Sequence, residues 1–600
     1  MVQNLSQSGN SASPGVNALG TPGLGGLGIE GITPSALHNI STPLAFAMSR
    51  SDSELRLANS ATKRNEDEER RAKMRKVLKS IGRPKGRVSE EGIVRLARRV
   101  GLVSDIDDEK LTQDERERKV GNRSFSVAGD SVIVTIDLRD QIPQSVEVNG
   151  DVPDTDEAAR VLFRDLRDSS NVALTANLGR FASNLSYLAQ MDRLKKETDT
   201  DCFAALDGLY KNLRRLHAKE SDNSVERAGA QRAGMVATCK KSGKPTMHAR
   251  DSLGLSLDYW RQNRFLGEDE QSASSKMDLD EAEHGGRPKE GKDLWTLSIS
   301  AEKSNTAIMP YAPLRVSDQW LPAEFTLPAE DSGEGISWLE PSSSDNGAPK
   351  PYFNATLDPP VVLPYNIADA ILKTFNVHSI PDVQNIPSYL SLLLSNASGS
   401  RVPSSSVANE LSSITSLQDV LSVSKGDQTI VQHRYTLDNA KPDFGFLLRE
   451  LPFSHPKQLV ELMPTLRQWA AFGVLLSQSL DSSVTHESST KDNASDQPIS
   501  LDNILNSSPP AEAKGPIPVN IALSTQPALN ITFRSASIES PIANLHVQIS
   551  RNADVSIEIY EGFDFSDEGA KAKAEARMAK ALDVCWDLGI WIEWVRAQYG

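Results

Sequence analysis

Gly23-Leu24-Gly25-Gly26-Leu27-Gly28 spells the glycine fingerprint of a dinucleotide site letter for letter. In that chemistry a strand delivers the glycines to a helix N-terminus, whose free N–H groups hold a pyrophosphate. Pro14 and Pro22 flank this run in a Ser-, Gly- and Asn-rich stretch, so neither element is expected beside it and chance in low complexity is the favoured reading. Ser242-Gly243-Lys244 ends like a phosphate loop, but position 238 is Thr where that loop needs its first glycine. The nine histidines include no pair at metal-ligand spacing on an expected helix, and no Ser or Cys sits in a Gly-x-Ser-x-Gly elbow. No catalytic, cofactor-binding or metal-ligating residue is therefore expected, and no cofactor.

Three other constellations suit contact rather than turnover. Arg83-Pro84-Lys85-Gly86-Arg87 follows Arg70, Arg71, Lys73, Arg75 and Lys76, with the acidic run Glu66 to Glu69 just upstream. A short basic run of this kind can serve as a nuclear-import signal or lie solvated on a helix. It also resembles part of an AT-hook, an extended Arg-Pro arm for the A·T-rich minor groove, although Ile81 stands before Gly82 where the usual core has Arg. Leu390-Ser391-Leu392-Leu393-Leu394 fits Leu-x-x-Leu-Leu, which on a helix can fill a partner's groove but in a Leu-rich chain is more often core. Trp586, Trp591 and Trp594 crowd the C-terminal stretch and need cover, either from the chain itself or from a partner.

The elements that must position these groups come in blocks. Ser89 before Glu90-Glu91 reads as an N-cap, Ile93, Leu96, Ala97 and Val100 recur at helical spacing, and Gly101 is the stop. Strand-like runs follow at Phe125 to Val127, Val132 to Ile136 and Val146 to Val148, with Gly129-Asp130 and Pro143 as punctuation. Helical stripes then run through Leu178, Phe181, Leu185 and Leu188, and through Phe203, Leu206, Leu209, Leu213 and Leu216. Strand-like Trp295 to Ile299 and Thr429 to Val431, a helix from Pro456 through Trp469 and a strand-and-helix block from Ile517 complete the ordered pieces. The expected class is α+β, mixed helices and antiparallel strand pairs with long disordered insertions and a disordered N-terminal tail.

Composition bounds the whole. Six hundred residues with 38% hydrophobic content can build a large core, and the net charge of −15 argues against a nucleic-acid coat, since phosphate binding draws on clustered Lys and Arg. Met1 to Ser6 lack a secretory signal's basic flank and apolar run, and no stretch approaches the roughly 20 apolar residues of a membrane span. A soluble intracellular protein in a reducing compartment is expected, because Cys202, Cys239 and Cys585 are too few and far apart for a disulfide framework.

From Gly86-Arg87-Val88-Ser89-Glu90-Glu91-Gly92 to Gly101 the sequence resembles the opening of the conserved domain of the Mediator subunit 1 family, in a fungal-type form. Ser124-Phe125-Ser126-Val127-Ala128-Gly129, Leu178-Gly179-Arg180-Phe181, Cys202-Phe203 through Arg214, Leu253 to Trp260 and Leu451-Pro452-Phe453-Ser454-His455-Pro456 are similar to family passages in the same order. The resemblance implies a structural subunit of the middle module of a nuclear coactivator complex, without catalysis, relaying signals from gene-specific regulators to RNA polymerase II. Partners would be other middle-module subunits, transcriptional activators and the polymerase machinery, with no direct nucleic-acid binding and no membrane. An AT-hook-like DNA-binding factor acting through residues 63–87 is the alternative. The expected layout is a disordered tail over 1–62, a basic segment over 63–88, a core domain over 89–480 with disordered insertions near 221–235, 265–293, 325–350 and 395–412, a disordered linker over 481–515, and a strand-and-helix block over 516–600.

Overall fold

The computed structural model describes residues 73, 88–106, 122–139, 142–167, 178–249, 251–262, 294–303, 313–328, 335–341, 351–377, 387–398, 414–424, 427–438, 443–480, 515–524, 527–534 and 541–599. The first element with described bounds is helix α1 (Glu90–Val100). The Ser89 hydroxyl accepts from Gly92 N at 3.1 Å, acidic residues fill the first turn, and Gly101 closes the helix at φ 94, a left-handed conformation open to glycine.

Strands β1 (Val103–Ile106), β2 (Asn122–Ala128), β3 (Val132–Arg139) and β4 (Ile142–Gly150) form an antiparallel sheet in sequence order. Helices α2 (Thr155–Arg167) and α3 (Gly179–Thr198) follow. The β2–β3 turn is pinned to α3 by Asp192, whose carboxylate accepts from Asp130 N at 3.0 Å, Ser131 N at 2.6 Å and the Ser131 hydroxyl at 2.8 Å. A Cβ at Gly129 would stand 2.5 Å from Asp192 Oδ2, so only glycine admits that approach.

Asp165 joins α2 to α3. Its Oδ2 accepts from Asn184 Nδ2 at 2.6 Å, while Oδ1 has no hydrogen-bond partner among the described residues. Burial pushes this carboxyl up to about 6, helped by the Asp251 charge and opposed by the Asn184 bond. The charged form is the disfavoured one, so stability is expected to fall as pH rises from about 4 through 6. Asp165→Asn keeps an oxygen for Asn184 and removes the charge. It should raise stability at pH 7 by roughly 1–3 kcal/mol and leave it unchanged below pH 4, as read from urea midpoints at both pH values.

Helices α4 (Cys202–Ala228) and α5 (Ala230–Lys240) come next. The insertion expected over 221–235 is thus helical, apart from Gly229 at φ 79 between the two helices. Its polar residues are the exposed face of amphipathic helices: Asp222 and Asn223 face outward, while Ala233 and Ala237 are buried. The stretch expected as disordered over 325–350 is corrected in part. Residues 313–328 and 335–341 lack regular structure yet pack on α4, where Asn212 Nδ2 donates to Asp318 O at 2.7 Å and Arg215 to Ala323 O at 2.7 Å. Phe325 is buried, and the Trp338 ring meets His455 at 5.6 Å. The tail over 1–62, the insertion over 265–293 and most of the stretches over 395–412 and 481–515 lie outside the described residues.

The second sheet holds β5 (Lys244–Met247), β6 (Leu255–Arg261), β7 (Leu294–Lys303), β8 (Pro351–Pro364) and β11 (Gly445–Phe453), ordered β11-β8-β7-β6-β5 and antiparallel throughout. Helices α6 (Tyr365–Thr374) and α7 (Tyr389–Ser398) lie between β8 and strand β9 (Ile414–Ser424), which pairs with β10 (Asp427–Asp438). The third sheet is ordered β15-β14-β13-β12-β10-β9, with β12 (Ile517–Leu523), β13 (Ala528–Arg534), β14 (Ile542–Ser550) and β15 (Asp554–Glu561). One pair departs from the antiparallel expectation: β10 and β12 run parallel, His433 opposite Ile517 through Asp438 opposite Ala522. Among the described residues, helices α8 (Pro456–Leu480), α9 (Glu568–Cys585) and α10 (Leu588–Tyr599) complete a mixed α+β architecture. One core cluster runs from Ile93 to Val595, with α8 burying Leu459, Met463, Leu466, Ala471, Leu475 and Leu476.

Candidate interaction surfaces

Of the basic residues singled out in the sequence, Arg70, Arg71, Arg75, Lys76, Arg83, Lys85 and Arg87 lie outside the described residues; Lys73 is helical and exposed. The Leu-x-x-Leu-Leu run sits on α7, where Leu390 and Leu393 are buried and Leu392 and Leu394 pack against the core. Ser242 is used internally, since its backbone N–H donates to Glu220 Oε2 at 3.0 Å and its hydroxyl to the same oxygen. That bond fastens the α5–β5 turn to α4.

The terminal tryptophans divide. Trp586 ends α9 in a left-handed conformation at φ 47, donates its backbone N–H to Leu582 O at 2.9 Å, and sets its ring edge-on to Trp260 of β6 at 5.4 Å. Trp260 in turn meets Trp295 of β7 at 4.5 Å. Trp591 is equally buried and donates Nε1 to Met578 O at 3.0 Å. These two rings are therefore covered almost wholly by the chain itself, although Trp591 also lines the floor of the groove beside Trp594. Trp594 stays half-buried, with the Arg577 guanidinium 5.5 Å from its ring, and lines a shallow groove of about 380 Å³ between α9 and α10. Val584 and Ile590, 51% and 38% exposed, make the groove apolar; Lys580 stands on its rim. Exposed apolar side chains gathered in this way mark a contact surface better than scattered ones do.

The chemistry-bearing groups inside the fold join elements. Arg467 of α8 is fully buried: Nε donates to Tyr259 O at 2.7 Å, Nη1 to Asn552 Oδ1 at 2.8 Å, and Nη2 to Thr238 O at 3.0 Å and to Lys241 O. Burial draws its pKa down to about 10, which leaves it charged at neutral pH. His433 of β10 bonds Tyr435 at 3.0 Å through Nδ1 and Glu593 of α10 at 2.8 Å through Nε2. Burial pushes the Glu593 carboxyl up, but the hydrogen bonds and charges of His433 and Arg596 outweigh it and hold it at about 2. This His–Glu pair has the residue types of a proton relay, yet His433 is 0% exposed and no reactant reaches it. Its role is to seat α10 on β10. Among the described residues, no group of three or more His, Cys, Asp and Glu is placed to hold a metal ion, and no helix is long and apolar enough to cross a membrane.

Among the described residues, the buried polar groups join sheets and helices, and the groove between α9 and α10 leaves apolar side chains exposed, an arrangement that suits an interaction subunit. The model of the family Mediator of RNA polymerase II transcription subunit 1 matches residues 73–481, about two thirds of the chain, and the chain belongs to that family. Comparison with curated proteins gives no match. Members of the family are structural, non-enzymatic subunits that act in transcription regulation in the nucleus with other Mediator subunits and the RNA polymerase II machinery. The matched region ends one residue beyond α8, so β12 to α10 are structure built past it on the same sheet as β9 and β10.

Proposed function

We propose that the chain, a fungal-type member of its family, works in the nucleus as a structural subunit of the Mediator middle module. In this reading it relays signals from gene-specific regulators to RNA polymerase II and no residue of it is catalytic. The family match over residues 73–481 carries the proposal, and the enclosure of the His433–Glu593 pair supports it. Residues 63–88 are read as a basic import segment and Trp594 with its groove as a subunit contact. Copurification from nuclear extract tests the assembly, and the triple change Arg83→Ala, Lys85→Ala, Arg87→Ala separates the roles of the basic segment. The variant should accumulate several-fold less in the nucleus while still copurifying with middle-module subunits. Nanomolar, A·T-selective DNA binding by residues 60–105 that the triple change abolishes would favour the DNA-binding reading instead.

A further inference from the structure

Strand β4 is the last strand of the first sheet: on one side it pairs with β3, and on the other no described strand follows. A groove of about 520 Å³ runs along it, touched by all six consecutive residues from Gln144 to Asn149. Successive side chains of a strand point to opposite faces, so a cavity touched by six in a row lies beside the strand and not over one face. The facing wall is one outward row of α2, Thr155, Asp156, Ala159, Arg160 and Phe163, spaced at three, four and one as a single helical face. The inward row of the same helix, including Ala158, Val161 and Leu162, is buried in the core, so the helix holds the wall in place.

We propose that this groove receives an extended segment of another protein, which adds to the edge of β4 as a fifth strand. An edge strand offers backbone N–H and C=O groups along its outer side, and a neighbouring helix wall gives the added strand's side chains somewhere to pack. Ala159 and Phe163 supply an apolar wall on the helix side. The exposed carboxylates of Glu147 and Asp156 stand at the rim, while Arg160 is engaged by Glu157 at 3.0 Å. The occupant is therefore a strand of about six residues that alternates apolar and basic side chains, the basic ones meeting Glu147 and Asp156.

The test uses the purified full chain and a fluorescein-labelled ten-residue peptide alternating valine and lysine. Two further versions carry the same side chains and charge but are N-methylated on one or the other alternate set of backbone nitrogens. The parent peptide should bind saturably, and one methylated version should bind at least tenfold more weakly, because half of a strand's N–H groups face its neighbour. Ala159→Arg, which fills the groove from the helix side, should weaken the parent at least tenfold, and Glu147→Lys, at an exposed strand position, several-fold. Both variants should keep the urea midpoint of the parent chain, which separates blocking from misfolding. Equal binding of all three peptides would show attraction by charge alone and would overturn the proposal. So would no binding of the parent peptide, or binding indifferent to both substitutions in folded protein.

Discussion

Arg467→Met is expected to lower the stability of the chain by about 3–5 kcal/mol, measured as a shift in urea unfolding. Methionine matches much of the arginine stem, so lost volume is a small part of the effect. The larger part is that the guanidinium serves acceptors from three separate places: Tyr259 O on β6, Thr238 O and Lys241 O at the end of α5, and Asn552 Oδ1 in the turn between β14 and β15. Each buried acceptor left without a donor costs about 1–3 kcal/mol. Swapping a buried ion pair for apolar groups can be harmless because both partners are replaced together; here most of the acceptors are backbone carbonyls, which no substitution removes. Arg467→Lys should recover only part of the loss, since one ammonium cannot point its protons along the three directions of a planar guanidinium. A loss below about 1 kcal/mol for the methionine variant would show that solvent or local rearrangement satisfies these carbonyls.

Trp586→Ala should cost a comparable amount, about 3–5 kcal/mol, as large aromatic truncations in a core do. The ring is 1% exposed and lies edge-on to Trp260, so its removal opens a cavity between α9 and the second sheet. Trp586 is also held at φ 47, a conformation that residues with a Cβ adopt at a cost of about 1 kcal/mol or more, and alanine keeps that strain without the packing that offsets it. Trp594→Ala makes the informative contrast. That ring is half-exposed on the α9–α10 groove, so its loss should change the unfolding midpoint little while weakening copurification with partner subunits. Equal destabilisation by the two substitutions would assign Trp594 to the core and leave the groove without a contact role.

Local grammar was readable in the sequence. Ser89 and Gly101 bracket α1 because cap chemistry needs only the residues on the spot, and Gly129-Asp130 marks the β2–β3 turn for the same reason. The reason this turn must be glycine was hidden, since the constraint is a carboxylate 63 positions away at Asp192. Residues 221–235 read as an insertion because Asp222, Asn223 and their neighbours are polar; the small buried positions Ala233 and Ala237 give too faint a stripe to mark a helix. The parallel pairing of β10 with β12 has no local signal, because register between distant strands is decided by the fold. Arg467 left a trace: a lone charge inside the apolar run from Leu462 to Leu480 is unusual unless it is paired. Of the interaction surfaces, the crowding of tryptophans was visible, but which ring faces outward was not. The groove beside β4 arises only once the sheet has formed.

The β10–β12 pair also has a timetable. On the ribosome the β9–β10 hairpin emerges before its parallel neighbour, which begins at Ile517, about 80 residues after Asp438. At the usual pace of about 5–20 residues per second, that is roughly 4–16 seconds in which the inner edge of β10 is made but the strand that closes it is not. The sheet is therefore finished late, by the stretch that also brings Trp586 to Trp260 and Asn552 to Arg467. Until that stretch arrives, the nascent chain carries an open strand edge and a buried-to-be cation without its last acceptor, the state in which newborn proteins most need a chaperone.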